Sequence, residues 1–118
     1  MQYSMLKSKI HRARVTDRSI DYEGSATIDR GLMDAVGILP YEMIQIYDIS
    51  NGQRFETYAI EAPAGSGEVC VNGAAARLVE IGDRIIIAAY AHYDEDEAKR
   101  HHPRIVLVDE ENRIARKL

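Results

Sequence analysis

Residues 42–60 read EMIQIYDISNGQRFETYAI. Two strand-like runs, Glu42–Ile49 and Gln53–Ile60, flank the dipeptide Asn51-Gly52. Asn-Gly between such runs is the strongest short-range hairpin signal, because the tight two-residue turn needs positive φ at both positions. On the C-terminal side, APAGSGE (62–68) is a loop, VCVN (69–72) a strand and NGAAARLV (72–79) a short helical turn of small residues. Gly82-Asp83 turns the chain into RIIIAAYA (84–91), a β-branched run that reads as a buried strand. On the N-terminal side lies a short helix. Asp29 caps its start, Leu32, Met33, Ala35 and Val36 form its apolar stripe, and Gly37 suits a left-handed stop.

The first sixteen residues alternate with period two, the pattern of a strand. One side carries Met5, Lys7, Lys9, His11, Ala13 and Val15; the other carries Leu6, Ser8, Ile10, Arg12 and Arg14. Neither side is cleanly apolar. Two readings fit: Lys9 and His11 point into a polar cavity, or the strand is exposed or at an interface. In the tail, DEDEAKRHHP (94–103) reads as a short solvated helix ended by Pro103, and IVLVDEENRI (105–114) as one more strand with a polar turn. Many short strands and two brief helices in a small chain suggest a closed, mainly β barrel.

At 118 residues the chain is expected to form one domain. It is too short for a kinase, a TIM barrel or a cofactor domain joined to a substrate domain. With a net charge of −4, it lacks the basic footprint expected of a nucleic-acid partner. The longest apolar run, Ile85–Ala91, is seven residues, far short of a membrane span. The N-terminal residues lack the apolar centre of a signal peptide, and the single cysteine cannot form an internal disulfide. A reducing, cytoplasmic compartment is the expectation.

The common catalytic signatures are missing. There is no P-loop, no H-E-x-x-H and no G-x-S-x-G, and Gly65-Ser66-Gly67 lacks the rest of a dinucleotide fingerprint. His92, His101 and His102 stand near Asp94, Glu95, Asp96 and Glu97, but their spacing fits no tetrahedral metal site, so a solvated charged face is expected and no metal. Cys70, between two valines, reads as core packing.

One segment acquires meaning from its context: Tyr22-Glu23-Gly24-Ser25-Ala26. Upstream stands IHRARVT (10–16), and downstream come NGQRFETYAI (51–60) and VCVNGAAARLVEIGDRIII (69–87). From about Met5 to Tyr90, in content and in spacing, these blocks resemble the bacterial aspartate 1-decarboxylases. Those are pyruvoyl enzymes that make β-alanine for pantothenate synthesis. The resemblance implies a double-psi β-barrel with two or three short helices, assembled as a homotetramer with sites near subunit interfaces. Some relatives need a helper protein to mature.

It also implies a chemistry. The precursor would cut itself between Gly24 and Ser25, giving pieces 1–24 and 25–118. The serine hydroxyl attacks the preceding carbonyl, an N→O shift makes an ester, and β-elimination releases the upstream piece. Hydration and loss of ammonia turn the remaining dehydroalanine into a pyruvoyl group. Glycine suits the position before the cut because it has no Cβ to hinder attack and tolerates strained backbone. Donors to the Gly24 carbonyl would come from Thr57, with Asn72 nearby, and such donors are typically worth about 3–4 kcal/mol each.

The pyruvoyl ketone would then form a Schiff base with L-aspartate and act as an electron sink. Tyr58 would return the proton. Arg54 would hold the retained carboxylate with its planar fork, and Lys9 and His11 would add positive charge. Tyr22, Gly73, Ala74 and Ala75 would shape the pocket. In a regular strand Thr57 and Tyr58 face opposite sides, so one site using both needs a bend, a bulge or a neighbouring subunit. Two other classes compete: a non-enzymatic double-psi barrel that binds a small anion or a protein, and a pyridoxal-phosphate enzyme. The second is disfavoured by only four lysines and no phosphate-cradling loop.

Overall fold

The computed structural model describes residues 1–118. The decisive hairpin is formed by β4 (Met43–Asp48) and β5 (Arg54–Ala62), with Tyr47 opposite Arg54 and Met43 opposite Tyr58. Its connection is longer than a two-residue turn. Gly52 N–H donates to Asp48 O at 2.8 Å, and Asp48 N–H donates to Gln53 O at 2.8 Å. Of the Asn51-Gly52 pair, Gly52 alone adopts positive φ (78°). Asn51 instead uses its side chain, accepting from Gln53 N–H at 2.8 Å and donating to Leu78 O at 2.8 Å.

Seven further strands join this hairpin: β1 (Gln2–Arg14), β2 (Asp17–Ser19), β3 (Ser25–Asp29), β6 (Val69–Asn72), β7 (Arg84–Asp94), β8 (Arg104–Val108) and β9 (Ile114–Lys117). Their spatial order is β2-β6-β3-β5-β4-β7-β1-β8-β9. Pairing is mixed: β2·β6, β3·β5 and β1·β8 are parallel, and the others antiparallel. β5 changes partner along its length. It pairs with β4 through Arg54–Tyr58 and with β3 through Ala59–Ala62. Residues 15 and 16 close the barrel: Val15 N–H donates to Asp83 O at 2.9 Å and Thr16 N–H to Val69 O at 2.8 Å.

The core is a cluster of 20 buried residues, among them Ile10, Ile28, Ile44, Ile46, Val69, Val71, Ile85 and Ile87. α1 (Arg30–Val36) covers one end and ends at Gly37 (φ 77°), whose N–H donates to Met33 O. Its cap, Asp29, does more than start a helix: the carboxylate also accepts from Gly65 N–H (3.0 Å) and Gly67 N–H (2.9 Å). Residues 73–78 form a 3-10 helix. α2 (Glu95–Arg100) is the expected solvated helix, with a reciprocal Asp94–Glu97 cap and basic residues in its last turn. No helix is long and apolar enough to cross a membrane.

Besides the hairpin turn, two expectations change. The tail holds two strands rather than one, joined by a turn through Asn112 (φ 58°), whose buried side chain bonds Arg14 N–H and O and Gly67 O. β1 also does not keep one alternation. Lys7 and Arg12 lie at register breaks, and Arg12 has φ 68°. Each inserted residue reverses which side faces inward. Ser8 and Ile10 are therefore buried, and after Arg12 the buried residues are Ala13 and Val15. Lys9 and His11 do not share a face with Ala13 and Val15. The mixed character of the strand records two breaks in phase.

The hairpin connection also carries a strained charge. Asp48 is 2% exposed, and its Oδ2 has no hydrogen-bond partner. Burial, followed by the neighbouring Asp83 carboxyl, raises its pKa from 3.8 to about 6. A raised acid binds its proton more tightly in the folded state, so stability falls as pH rises from about 4 to 6 and stays lower above. The full shift corresponds to roughly 3 kcal/mol. Asp48→Asn should remove that fall and be the more stable protein at pH 7.5 by up to about this amount. Denaturant unfolding of both proteins at several pH values checks it, and parallel pH dependences would refute it.

Candidate active site

Ser25 opens β3 and is 1% exposed. β6 runs antiparallel beside it, with Asn72 opposite Ser25 and Cys70 opposite Thr27. The Asn72 amide fills this gap. Its Nδ2 donates to Ser25 Oγ and to Thr27 Oγ1, both at 3.0 Å, and its Oδ1 accepts from Cys70 Sγ at 3.2 Å. Burial pushes the Cys70 thiol up to about 11, which keeps it protonated and able to donate. The thiol thus helps orient the amide with its NH2 toward the serine. The Ser25 hydroxyl in turn donates to Glu23 O at 3.4 Å.

Gly73 follows Asn72 at φ 71°. A Cβ there would lie 2.6 Å from Gly24 Cα, 2.8 Å from Gly24 N and 3.2 Å from Tyr22 O. The Tyr22–Gly24 segment therefore lies directly against Gly73, and the Gly24–Ser25 bond is held where Asn72 can reach it. Ala74 is exposed at the start of the 3-10 helix, whereas Ala75 packs partly on the core.

β3 and β5 pair in parallel from Ala26 opposite Ala59. Counting back, Ser25 falls beside Tyr58 and Gly24 beside Thr57. Thr57 lies opposite the buried Ile44, and Tyr58 opposite the exposed Met43, so the two face opposite sides of β5 as a regular strand requires. The Thr57 hydroxyl makes no hydrogen bond. Tyr58 stacks with Tyr41, ring centroids 6.4 Å apart. Tyr41 N–H donates to Ala59 O at 2.7 Å and Ala59 N–H to Glu42 O at 3.0 Å, an irregularity just where β5 exchanges β4 for β3.

The charged candidates lie farther round the same outer face. Arg54, Tyr47, Ile86 and His11 form one cross-strand row, and Lys9 stands beside Ala88. Neither Arg54 nor Lys9 has a carboxylate partner. Arg54 rests on Tyr47, with its guanidinium carbon 3.8 Å from the ring centroid. His11 is held below the usual histidine range by burial first, then by Lys9 and Arg12, and its Nδ1 has no partner. It is therefore a neutral ring at neutral pH, not the second positive charge expected of it. A dianionic ligand would draw a proton onto it.

Ser25, Gly24, Asn72, Gly73, Tyr22, Thr57 and Tyr58 thus gather at one end of β3. Lys9 and His11 do not join them within one chain, and Arg54 stands at the far end of β5, the strand that carries Thr57 and Tyr58. Four strand spacings separate β3 from β1, about 19 Å measured round the sheet. No surface cavity of the single chain opens on Ser25. The sequence reads Cys70 as core packing alone and gives Tyr47 and Tyr90 no role. Counting outward from a two-residue turn would set Tyr47 opposite Glu56; the longer connection shifts it opposite Arg54. Cys70 and Asn72 share one face of β6, but their bearing on Ser25 required knowing that β6 lies beside β3.

The aspartate decarboxylase family profile matches residues 1–115. The chain is 63% identical over 113 residues to the aspartate 1-decarboxylase of Syntrophobacter fumaroxidans, covering 96% of this chain and 91% of that protein. It is 56% identical over 113 residues to the aspartate 1-decarboxylase of Thermoanaerobacter pseudethanolicus, covering 96% and 97%. Among solved structures, the rationally designed mkDPBB_sym_86 protein, a double-psi β-barrel, matches with a TM-score of 0.50 at 13% identity. That match covers 65% of this chain and 90% of the designed one. At that identity it bears on the fold alone, and it agrees with the double-psi barrel expected from the sequence.

Proposed function

The chain belongs to the aspartate decarboxylase family and decarboxylates L-aspartate; we propose that it does so after cutting itself between Gly24 and Ser25. The observation that carries the proposal is the 3.0 Å hydrogen bond from Asn72 to Ser25 Oγ, beside a Gly24 pressed against Gly73. A buried serine hydroxyl with an oriented amide, next to a residue without Cβ, is arranged for attack on its own preceding carbonyl. Asn72 and the Thr57 hydroxyl, which lies in register with Gly24 and is otherwise unused, are the donors assigned to the developing oxyanion.

The surroundings fit a pyruvoyl group at residue 25: once the hydroxyl is gone, the Asn72 amide remains as a donor for a carbonyl oxygen. Such a group supplies the electron sink for loss of CO2. The chain's own residues do the rest. Tyr58, in register with residue 25, returns a proton to the carbon that lost CO2, yielding β-alanine. Arg54 takes the carboxylate that stays. Lys9 adds a second cation, and His11 becomes one when it takes a proton on substrate binding. Tyr22 and the small residues Gly73, Ala74 and Ala75 bound the space near residue 25. The departing carboxylate is best left without a tight ion pair, because such a pair would stabilise the ground state more than the transition state.

The separation of these groups supports a shared site. Aspartate is far shorter than 19 Å, so one molecule cannot touch both residue 25 and Lys9 round one sheet. A second copy that lays its Lys9 and His11 against the β3 end would complete the pocket, consistent with a homotetramer. A lone, protonated thiol at Cys70 suits the reducing cytoplasm.

Intact mass measurement of the purified protein tests the proposal, run with and without extract to expose any helper requirement. Pieces 1–24 and 25–118 are expected, the larger with a blocked N-terminus, together with aspartate-dependent CO2 release. Tyr58→Phe should still cleave but turn over about 100-fold or more slowly. A chain that stays whole under every condition and releases no CO2 would leave only a barrel that binds a small anion or a protein. Full activity in Tyr58→Phe would remove Tyr58 as proton donor.

A further inference from the structure

We propose that Tyr90 is a positioning residue for Arg54, acting through Tyr47. The inference rests on the reading of Arg54 as the group that holds the retained carboxylate. Tyr47 on β4 and Tyr90 on β7 share the outer face of the sheet, and their hydroxyls meet at 2.8 Å. The Tyr47 ring is thereby fixed at both ends, by its backbone in β4 and by its hydroxyl on the next strand. Arg54 lies over that ring at 3.8 Å, within cation–π range.

Arg54 needs such a support. It is exposed at the first position of β5 and has no ion pair, so nothing else holds its long side chain. It also has a competitor. Glu56 is two residues along the same strand and therefore on the same face. The Glu56 carboxylate accepts from Gln45 Nε2 at 3.4 Å and leaves Arg54 alone. If the Tyr47 ring swings free, Arg54 can fall onto Glu56, and its fork is then lost to substrate. The hydroxyl pair prevents this. Burial and the Tyr90 hydroxyl raise the Tyr47 pKa, so its proton stays available for the bond across the neutral and mildly alkaline range.

Steady-state kinetics on the matured protein separates this role from a structural one. Tyr90→Phe should cleave normally, raise KM for L-aspartate about three- to ten-fold and leave kcat within about two-fold. Tyr47→Phe deletes the same hydrogen bond from the other side and should give the same split. It also replaces Tyr90→Phe as the reporter if that variant fails to mature. The double variant should be no worse than either single one. Adding Glu56→Gln to Tyr90→Phe should recover much of the lost KM. An unchanged KM in both single variants, additive losses in the double one, or equal falls in kcat would overturn the proposal. Arg54→Gln separates the two levels. If it leaves KM unchanged, the carboxylate reading itself has failed. If it raises KM while neither tyrosine variant does, only the positioning role has.

Discussion

Ser25→Ala is expected to give a chain of full length that never matures and releases no CO2 from aspartate. The loss should be complete, because the serine supplies both the nucleophile for cleavage and the atoms from which the cofactor is made. No other residue can substitute: the neighbouring Thr27 hydroxyl follows Ala26 rather than glycine, and it is Gly24 whose Cα and N lie against Gly73. The fold should survive. Ser25 is buried, but its hydrogen bonds are to Asn72 and Glu23, and an alanine costs only these, typically about 1 kcal/mol each. Intact mass and circular dichroism on the same sample check both halves. A Ser25→Ala protein that still split between residues 24 and 25 would overturn the mechanism.

Gly73→Ala should be nearly as damaging to maturation, for a different reason. The added methyl meets backbone, not a flexible side chain, at 2.6 Å from Gly24 Cα. Backbone cannot retreat alone, so the Tyr22–Gly24 segment must move outward by about an ångström. Misplacement on that scale can cost about 100-fold in rate. The φ of 71° adds roughly 1–2 kcal/mol of strain for any residue with a Cβ. Cleavage followed by mass measurement over time should therefore slow by at least about 100-fold. Gly52→Ala is the control. Its φ is 78°, but no atom lies within 4 Å of the new methyl, so it should carry the strain without the clash and mature at the normal rate. Equal maturation of Gly73→Ala and Gly52→Ala would show that the contact with Gly24 does not matter.

Much of the architecture could be read from local signals. The β4–β5 hairpin, the Asp29 and Gly37 caps of α1 and the acidic helix α2 all depend on neighbours within a few residues, where turn chemistry and capping act. The first strand was harder. Lys7 and Arg12 interrupt its phase, and an inserted residue looks like any other in a period-two count. β9 is four residues long and exposed at every position, so no alternation marks it. The candidate site divides in the same way. Ser25, Gly24, Asn72 and Tyr58 could be named from the family's motifs, and the register then gathers them. The Asn72–Ser25 contact and the Tyr47–Tyr90 pair depend on which distant strands adjoin, and composition does not carry that. The neutral state of His11 depends on burial and on Arg12, which a bulge places beside it.

The long pairing of β1 has a further consequence for a protein cut at residue 24. Residues 1–24 contain all of β1, which lies between β7 and β8 in the sheet, and all of β2. Cutting would thus leave a major interior strand held only by noncovalent contacts. Folding of the processed form becomes bimolecular. The precursor should unfold at a temperature independent of concentration, apart from subunit association. The processed form should lose its short piece to dilution once melted, and refold poorly. Maturation would then mark an asymmetry in time: the barrel is assembled once, while the chain is whole, and afterwards persists by never letting go.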